Sequence, residues 1–240
     1  KGDFDGDGDD ELIVLLYRTS RPSDYNDFGS APNTSSCTGY VNNVSAFLIY
    51  DTSDFSQPRA MIYGDTTFNY MTRLISGFDF NNDGKDDIML TGRGLYMVYG
   101  QELSGAATQI ICPDGYIDIE NDADTEININ SIGDLDSDGC DDVAMGNPKE
   151  AMVRILWGGG SSCSASSPKV SILHASAGDP FNYGSLLGSG VSGGYDVTGD
   201  GTTDLVVSDP KTYINNGHKG RVWVIPGEDI IQSERVPITW

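Results

Sequence analysis

The chain has 240 residues, with 36 acidic against 14 basic side chains and a formal net charge of −22. That balance repels polyanions and sets nucleic acid and acidic membrane surfaces aside as partners. The length is enough to bury a sizeable core, and no apolar run in the sequence approaches the roughly twenty residues of a membrane span.

The first element is an aspartate-rich loop at 3–11 (DFDGDGDDE), and the phrase returns at 79–87, 134–142 and 196–204. Oxygen-bearing side chains stand at positions one, three, five and nine of every copy. They are Asp3, Asp5, Asp7 and Glu11; Asp79, Asn81, Asp83 and Asp87; Asp134, Asp136, Asp138 and Asp142; Asp196, Thr198, Asp200 and Asp204. Position six is always glycine, which suits a sharp left-handed turn. Position seven (Asp9, Lys85, Cys140, Thr202) varies in chemistry, as expected if only its backbone carbonyl is used. Calcium takes six to eight oxygens at about 2.3–2.6 Å, and this spacing can supply them. Up to four calcium ions are therefore expected. The helix-loop-helix type of calcium site is excluded, because position twelve is Val14, Leu90, Met145 or Val207 instead of a bidentate glutamate.

Each loop runs straight into a short apolar stretch, at 12–16, 88–90, 143–145 and 205–207, which reads as a buried strand closing a β-hairpin. After the first comes the long irregular segment 18–43, where Tyr25, Phe28 and Tyr40 are candidates for ligand binding on a loop. Aromatic-rich strands are expected at 44–50, 94–99, 151–157 and 220–225, and outer strands at 59–63, 108–112, 169–174 and 235–240. Trp157, Trp223, Tyr96 and Tyr99 recur at equivalent places and are expected to pack between repeats. The 158–167 stretch lacks the lysine and helix of a phosphate loop and reads as flexible. Between the third and fourth aromatic strands, the loop at 213–219 offers Tyr213, Asn215 and His218 as a second ligand-binding candidate.

Recurrence at roughly sixty residues, with four strands in each period, implies the blades of a β-propeller. The fourth copy, with Phe181 to Gly184 ahead of the loop, Ser208-Asp-Pro210 behind it and Gly220 to Ile225, resembles an FG-GAP repeat of the integrin α-subunit type. The resemblance extends over essentially the whole chain in four copies. It implies an all-β fold of four-stranded antiparallel blades with calcium in the hairpin loops, within a propeller of about seven blades. Residues 1–240 then form one propeller region whose first blade is incomplete at the N-terminus. Thr198 makes the fourth site the weakest, and Glu11 is one methylene longer than the usual closing aspartate.

Four cysteines allow three pairings that sequence cannot separate, and in an acidic β-protein they fit an oxidising compartment. The two histidines belong to no metal-protease motif, and no nucleophile constellation stands out, so no catalytic residue is assigned. The leading expectation is a calcium-stabilised binding or adhesion module, extracellular, surface-displayed or periplasmic, that recognises a protein or glycan through its loops. One alternative is a building block of an extracellular assembly, with other copies or chains completing the propeller. Another is part of a polysaccharide-degrading enzyme.

Overall fold

A computed structural model describes residues 1–16, 46–63, 73–91, 94–103, 109–111, 114–118, 127–163, 169–174, 186–211, 213–214, 217–218, 220–233 and 236–237. Tyr25, Phe28, Tyr40 and Asn215 lie outside them, as do Cys37 and Cys112. The described chain is nearly all β, with one short helix, α1 (Gly227–Ile231).

Contacts divide the chain into two compact units: 1–77 with 84–123 and Trp240, and 78–83 with 124–239. The first unit holds two sheets. One comprises β1 (Glu11–Leu16), β2 (Ala46–Asp51), β3 (Ala60–Tyr63) and β7 (Gln109–Ile111), in that order. The other comprises β4 (Arg73–Ser76), β5 (Ile88–Thr91), β6 (Gly94–Val98) and β8 (Gly115–Asp118). Phe47, Ile49 and Ile62 of the first sheet join Ile88, Leu90 and Tyr96 of the second in one buried cluster. Phe4, from the first loop, is part of it.

The second unit carries a sheet in the order β18 (Val236–Pro237), β12 (Lys169–His174), β11 (Met152–Trp157), β10 (Asp142–Asn147), β9 (Asn128–Gly133). Beside it lies the last sheet, β13 (Gly190–Tyr195), β14 (Asp204–Asp209) and β17 (Arg221–Ile225). A small hairpin of β15 (Tyr213–Ile214) and β16 (Gly217–His218) leads from β14 to β17. Ile132, Ala144, Val153, Ile155 and Trp157 pack with Leu205 and Val207 between these two sheets.

The loop-following strands form as expected, but their burial is unequal. All four residues of β5 and all six of β10 are buried, whereas Leu12 and Val14 of β1 are 38% and 37% exposed. Their side chains alternate with Ile13, which packs on the core. Among the recurring aromatics, Trp157 and Tyr96 are buried, but Trp223 is 39% exposed with the Arg221 guanidinium 4.7 Å above its ring. The sheet face carrying Val222 and Val224 is open as well.

Two outer strands depart from the expected order. Residues 109–111 do not extend the second sheet, since β8 already pairs with β6 there. They run parallel to β3 instead, and Ile111 enters the core beside Ile62. Only Val236–Pro237 of the expected strand 235–240 lies among the described strands, and it pairs with β12 of the preceding sheet instead of β17. In both cases a free sheet edge is satisfied by the segment that reaches it, whichever repeat that segment came from.

Candidate functional site

The four loops share a backbone more regular than their sequences. Position six has φ of 97°, 87°, 98° and 92° at Gly8, Gly84, Gly139 and Gly201. Position four is left-handed too, at Gly6, Asn82, Ser137 and Gly199 (φ 76°, 53°, 60° and 81°). Two left-handed residues, one either side of position five, curl the chain so that alternate side chains point inward.

The position-one carboxylate ties this curl together. Asp3 accepts the Gly8 N–H at 3.0 Å, Asp134 accepts Asp138 and Gly139 at 3.0 Å each, and Asp196 accepts Gly201 at 2.9 Å. In the second loop Asp79 and Asn81 both accept the Asp83 N–H, at 3.0 and 3.1 Å. Position five then accepts from position seven: Asp7 from Asp9, Asp138 from Cys140 and Asp200 from Thr202, at 2.8–2.9 Å.

Position nine is buried in all four copies, at 3% exposure for Glu11, 0% for Asp87 and 1% for Asp142 and Asp204. Its carboxylate is a backbone staple. One oxygen of Asp142 accepts the Leu135 N–H and the other the Gly158 N–H, both at 2.9 Å. Asp204 does the same with Val197, Thr198 and Gly227, and Asp87 accepts Gly100 at 2.8 Å. Glu11 reaches Phe4 and Asp5 through one oxygen, at 2.7 and 3.3 Å. The three donating glycines have no room for a side chain: a Cβ on Gly100, Gly158 or Gly227 would lie 2.5, 2.5 and 2.1 Å from a neighbour.

In two loops the carboxylates converge. Ligand atoms of Asp3, Asp5 and Glu11 lie within 4.8 Å of one another, as do those of Asp134, Asp136 and Asp142. Asp3 Oδ1 is buried with no hydrogen-bond partner among the described residues. Burial, helped by neighbouring carboxylates, pushes Glu11 up to about 7 and Asp142 up to about 8. Asp5 is also raised, by burial and by Asp7. A buried oxygen that receives no hydrogen bond among the described residues and faces other carboxylates is costly, and a divalent cation held by oxygens fits that donor set. Asp138 gathers with Cys140 and Cys163, but the two cysteines form a disulfide (Cα–Cα 5.6 Å), so no thiolate is offered. This bond joins the third loop to the glycine-rich stretch expected to be flexible, which also donates from Gly159 to the Phe80 carbonyl at 2.9 Å. Asp196, Thr198 and Asp200 of the fourth loop are exposed. Tyr213 and His218 face each other across the β15–β16 hairpin by backbone register.

Position eight, which carries no ligand role in the spacing argument, has a structural one. Asp86 accepts the Asp3 N–H at 2.8 Å and returns its own N–H to the Asp3 carbonyl at 2.8 Å. Asp141 and Asp79 repeat the exchange at 3.0 Å each. The sequence signal was the acidic doublet closing the second and third phrases; the fourth has Thr203 at that place.

Sheets entered through acidic nonapeptide hairpin loops define an all-β repeat protein. More particularly, residues 187–225, which span the fourth loop with β13, β14 and β17, match the FG-GAP repeat family. A search of curated proteins returned no match.

Proposed function

We propose that the chain is a calcium-stabilised extracellular binding module, built of blades from a propeller of about seven, whose loops engage a protein or glycan. The observation that carries the metal is the first loop: three converging carboxylates, with Asp3 Oδ1 buried and without a hydrogen-bond partner among the described residues. Calcium, when bound, supplies the positive charge that these oxygens need. The chain's own residues do the rest. Positions one and five hold the curl, position nine staples it to the sheet, and position seven offers its carbonyl. The disulfide supports an oxidising location, and no helix among the described residues is long and apolar enough to cross a membrane. In this reading the carboxylates are ligands and perform no acid-base chemistry.

Calorimetric titration with calcium chloride tests the metal, and a glycan array run with calcium and again with chelator tests the ligand class. Heat of binding at up to four sites and a calcium-dependent array signal are expected. No heat at millimolar calcium would sink the metal reading, and an array silent in both arms would remove the glycan.

A second reading, as a building block of an extracellular assembly, is favoured by the open face of the last sheet, where Tyr195, Val222 and Val224 are 75%, 63% and 44% exposed. Sedimentation tests it: a monomer at all concentrations would count against it.

A further inference from the structure

The first loop has a feature that its sequence phrase does not contain. Arg59, 54 residues beyond Asp5, directs its guanidinium to that loop, with one nitrogen 3.8 Å from Asp5 Oδ2. The same group bonds Asp51 Oδ2 at 3.3 Å and the Leu103 carbonyl. Its backbone is fixed on both sides, donating to Ile49 at 2.7 Å and accepting from Gln109 at 2.9 Å. Asp5 is nearly enclosed, its side chain 6% exposed, so solvent screens the pair weakly. Counting outward from position ten of the third loop, Val143, the matching place in the third sheet is Val170, opposite Leu156. The basic residue therefore belongs to the first sheet's own design.

We propose that Arg59 is an internal counter-ion of the first loop, competing with calcium for Asp5 and setting that site's affinity below what its carboxylates would otherwise give. The inference rests on the calcium reading above. An arginine does not give up its proton, so the competing charge is constant across physiological pH. It is also well placed to yield. When a cation takes Asp5, the guanidinium keeps Asp51 and the Leu103 carbonyl, so no donor is stranded. Occupancy of the first loop is thereby coupled to the Asp51–Ser56 turn, which displays Phe55 at 56% exposure. Lys85 also lies beside this loop, its side-chain carbons against Gly6, and stays unchanged in the variants that follow.

The test follows amide signals of Gly6 and Gly8 for the first loop, and Gly139 for the third, as calcium chloride is added to the whole chain. Arg59→Gln removes the charge while keeping a donor for Leu103, and should shift the first-loop midpoint about tenfold to lower calcium, the size expected for loss of one close like charge. Gly139 should be unaffected. Arg59→Lys restores the charge and should return the midpoint toward that of the unmodified chain. Asp51→Asn removes the rival carboxylate charge, leaves Asp5 as the charged partner of the guanidinium and should raise the midpoint. A first-loop midpoint that stays put or rises in Arg59→Gln overturns the proposal. Should that variant fail to fold, an Asp51→Asn midpoint that does not rise overturns it equally. If none of the three glycines responds to calcium in the unmodified chain, the calcium reading itself fails and takes this inference with it.

Discussion

Asp142 shows how one side chain carries two duties. It can face a metal, yet both its oxygens already hold backbone amides, Leu135 at the head of the loop and Gly158 just past the end of the next strand, β11. Asp142→Ala would leave two buried N–H groups without acceptors, at a cost of about 3 kcal/mol. That loss should persist in chelator, and a melt in which the variant differs from the parent only when calcium is present would refute the scaffold duty. The buried carboxyl also fixes a pH dependence for the metal-free protein. Its folded-state value of about 8 lies above the ordinary 3.8, so the native state binds more protons than the unfolded one. Stability from this group is fully present below the unfolded value and lost as pH rises through the folded one. Denaturant midpoints in chelator should therefore fall from about pH 5 to pH 8, and a rise would contradict the assignment. Positions one, three, five and nine were readable from spacing alone. Asp86, Asp141 and Arg59 were not, because their partners lie 83, 62 and 54 residues away and only folding brings them together.

Strands immediately after the loops were equally readable, since β-rich apolar runs bounded by acidic turns have few alternatives. Outer strands were less so, because a sheet edge accepts any extended segment within reach; β7 and β18 pair where the edge was free. The glycines closing β6, β11 and the β17 segment illustrate a third kind of information. Gly158 lies against the Asp141 carbonyl, with no space for a methyl group. Gly158→Ala should destabilise by roughly 3 kcal/mol, the range for overpacking against backbone. Unchanged urea unfolding would show that the strand end can shift. The Cys140–Cys163 bond closes a loop of 23 residues and should contribute about 3 kcal/mol. Comparing oxidised protein with the Cys140→Ser, Cys163→Ser double variant in urea checks this, and coincident curves would contradict it.

Calcium should act on the protein as a whole, since a loop leads into each of the four larger sheets and the loops carry much of the −22 charge. Each site filled at a hundredfold excess over its Kd adds about 2.7 kcal/mol. Chelation should lower the melting temperature by several degrees per site lost, and indifference to chelator would show that the carboxylates are stable without metal. Occupancy is expected to be uneven: the fourth loop is exposed and has Thr198 for a carboxylate, and the first must contend with Arg59.

The exchange between first and eighth positions also says where such a protein can be cut and rejoined. A copy counted from one aspartate phrase to the next looks like the natural module. Yet the leading amides of Asp3 and Asp79 are answered by carboxylates belonging to the following phrase. A chimera that swapped in a phrase with threonine at the eighth place, as at Thr203, would deprive its predecessor of a carboxylate acceptor while keeping every ligand of its own. The transplantable piece is thus the seam between two copies, and grafts should take a loop together with the eighth residue that follows it.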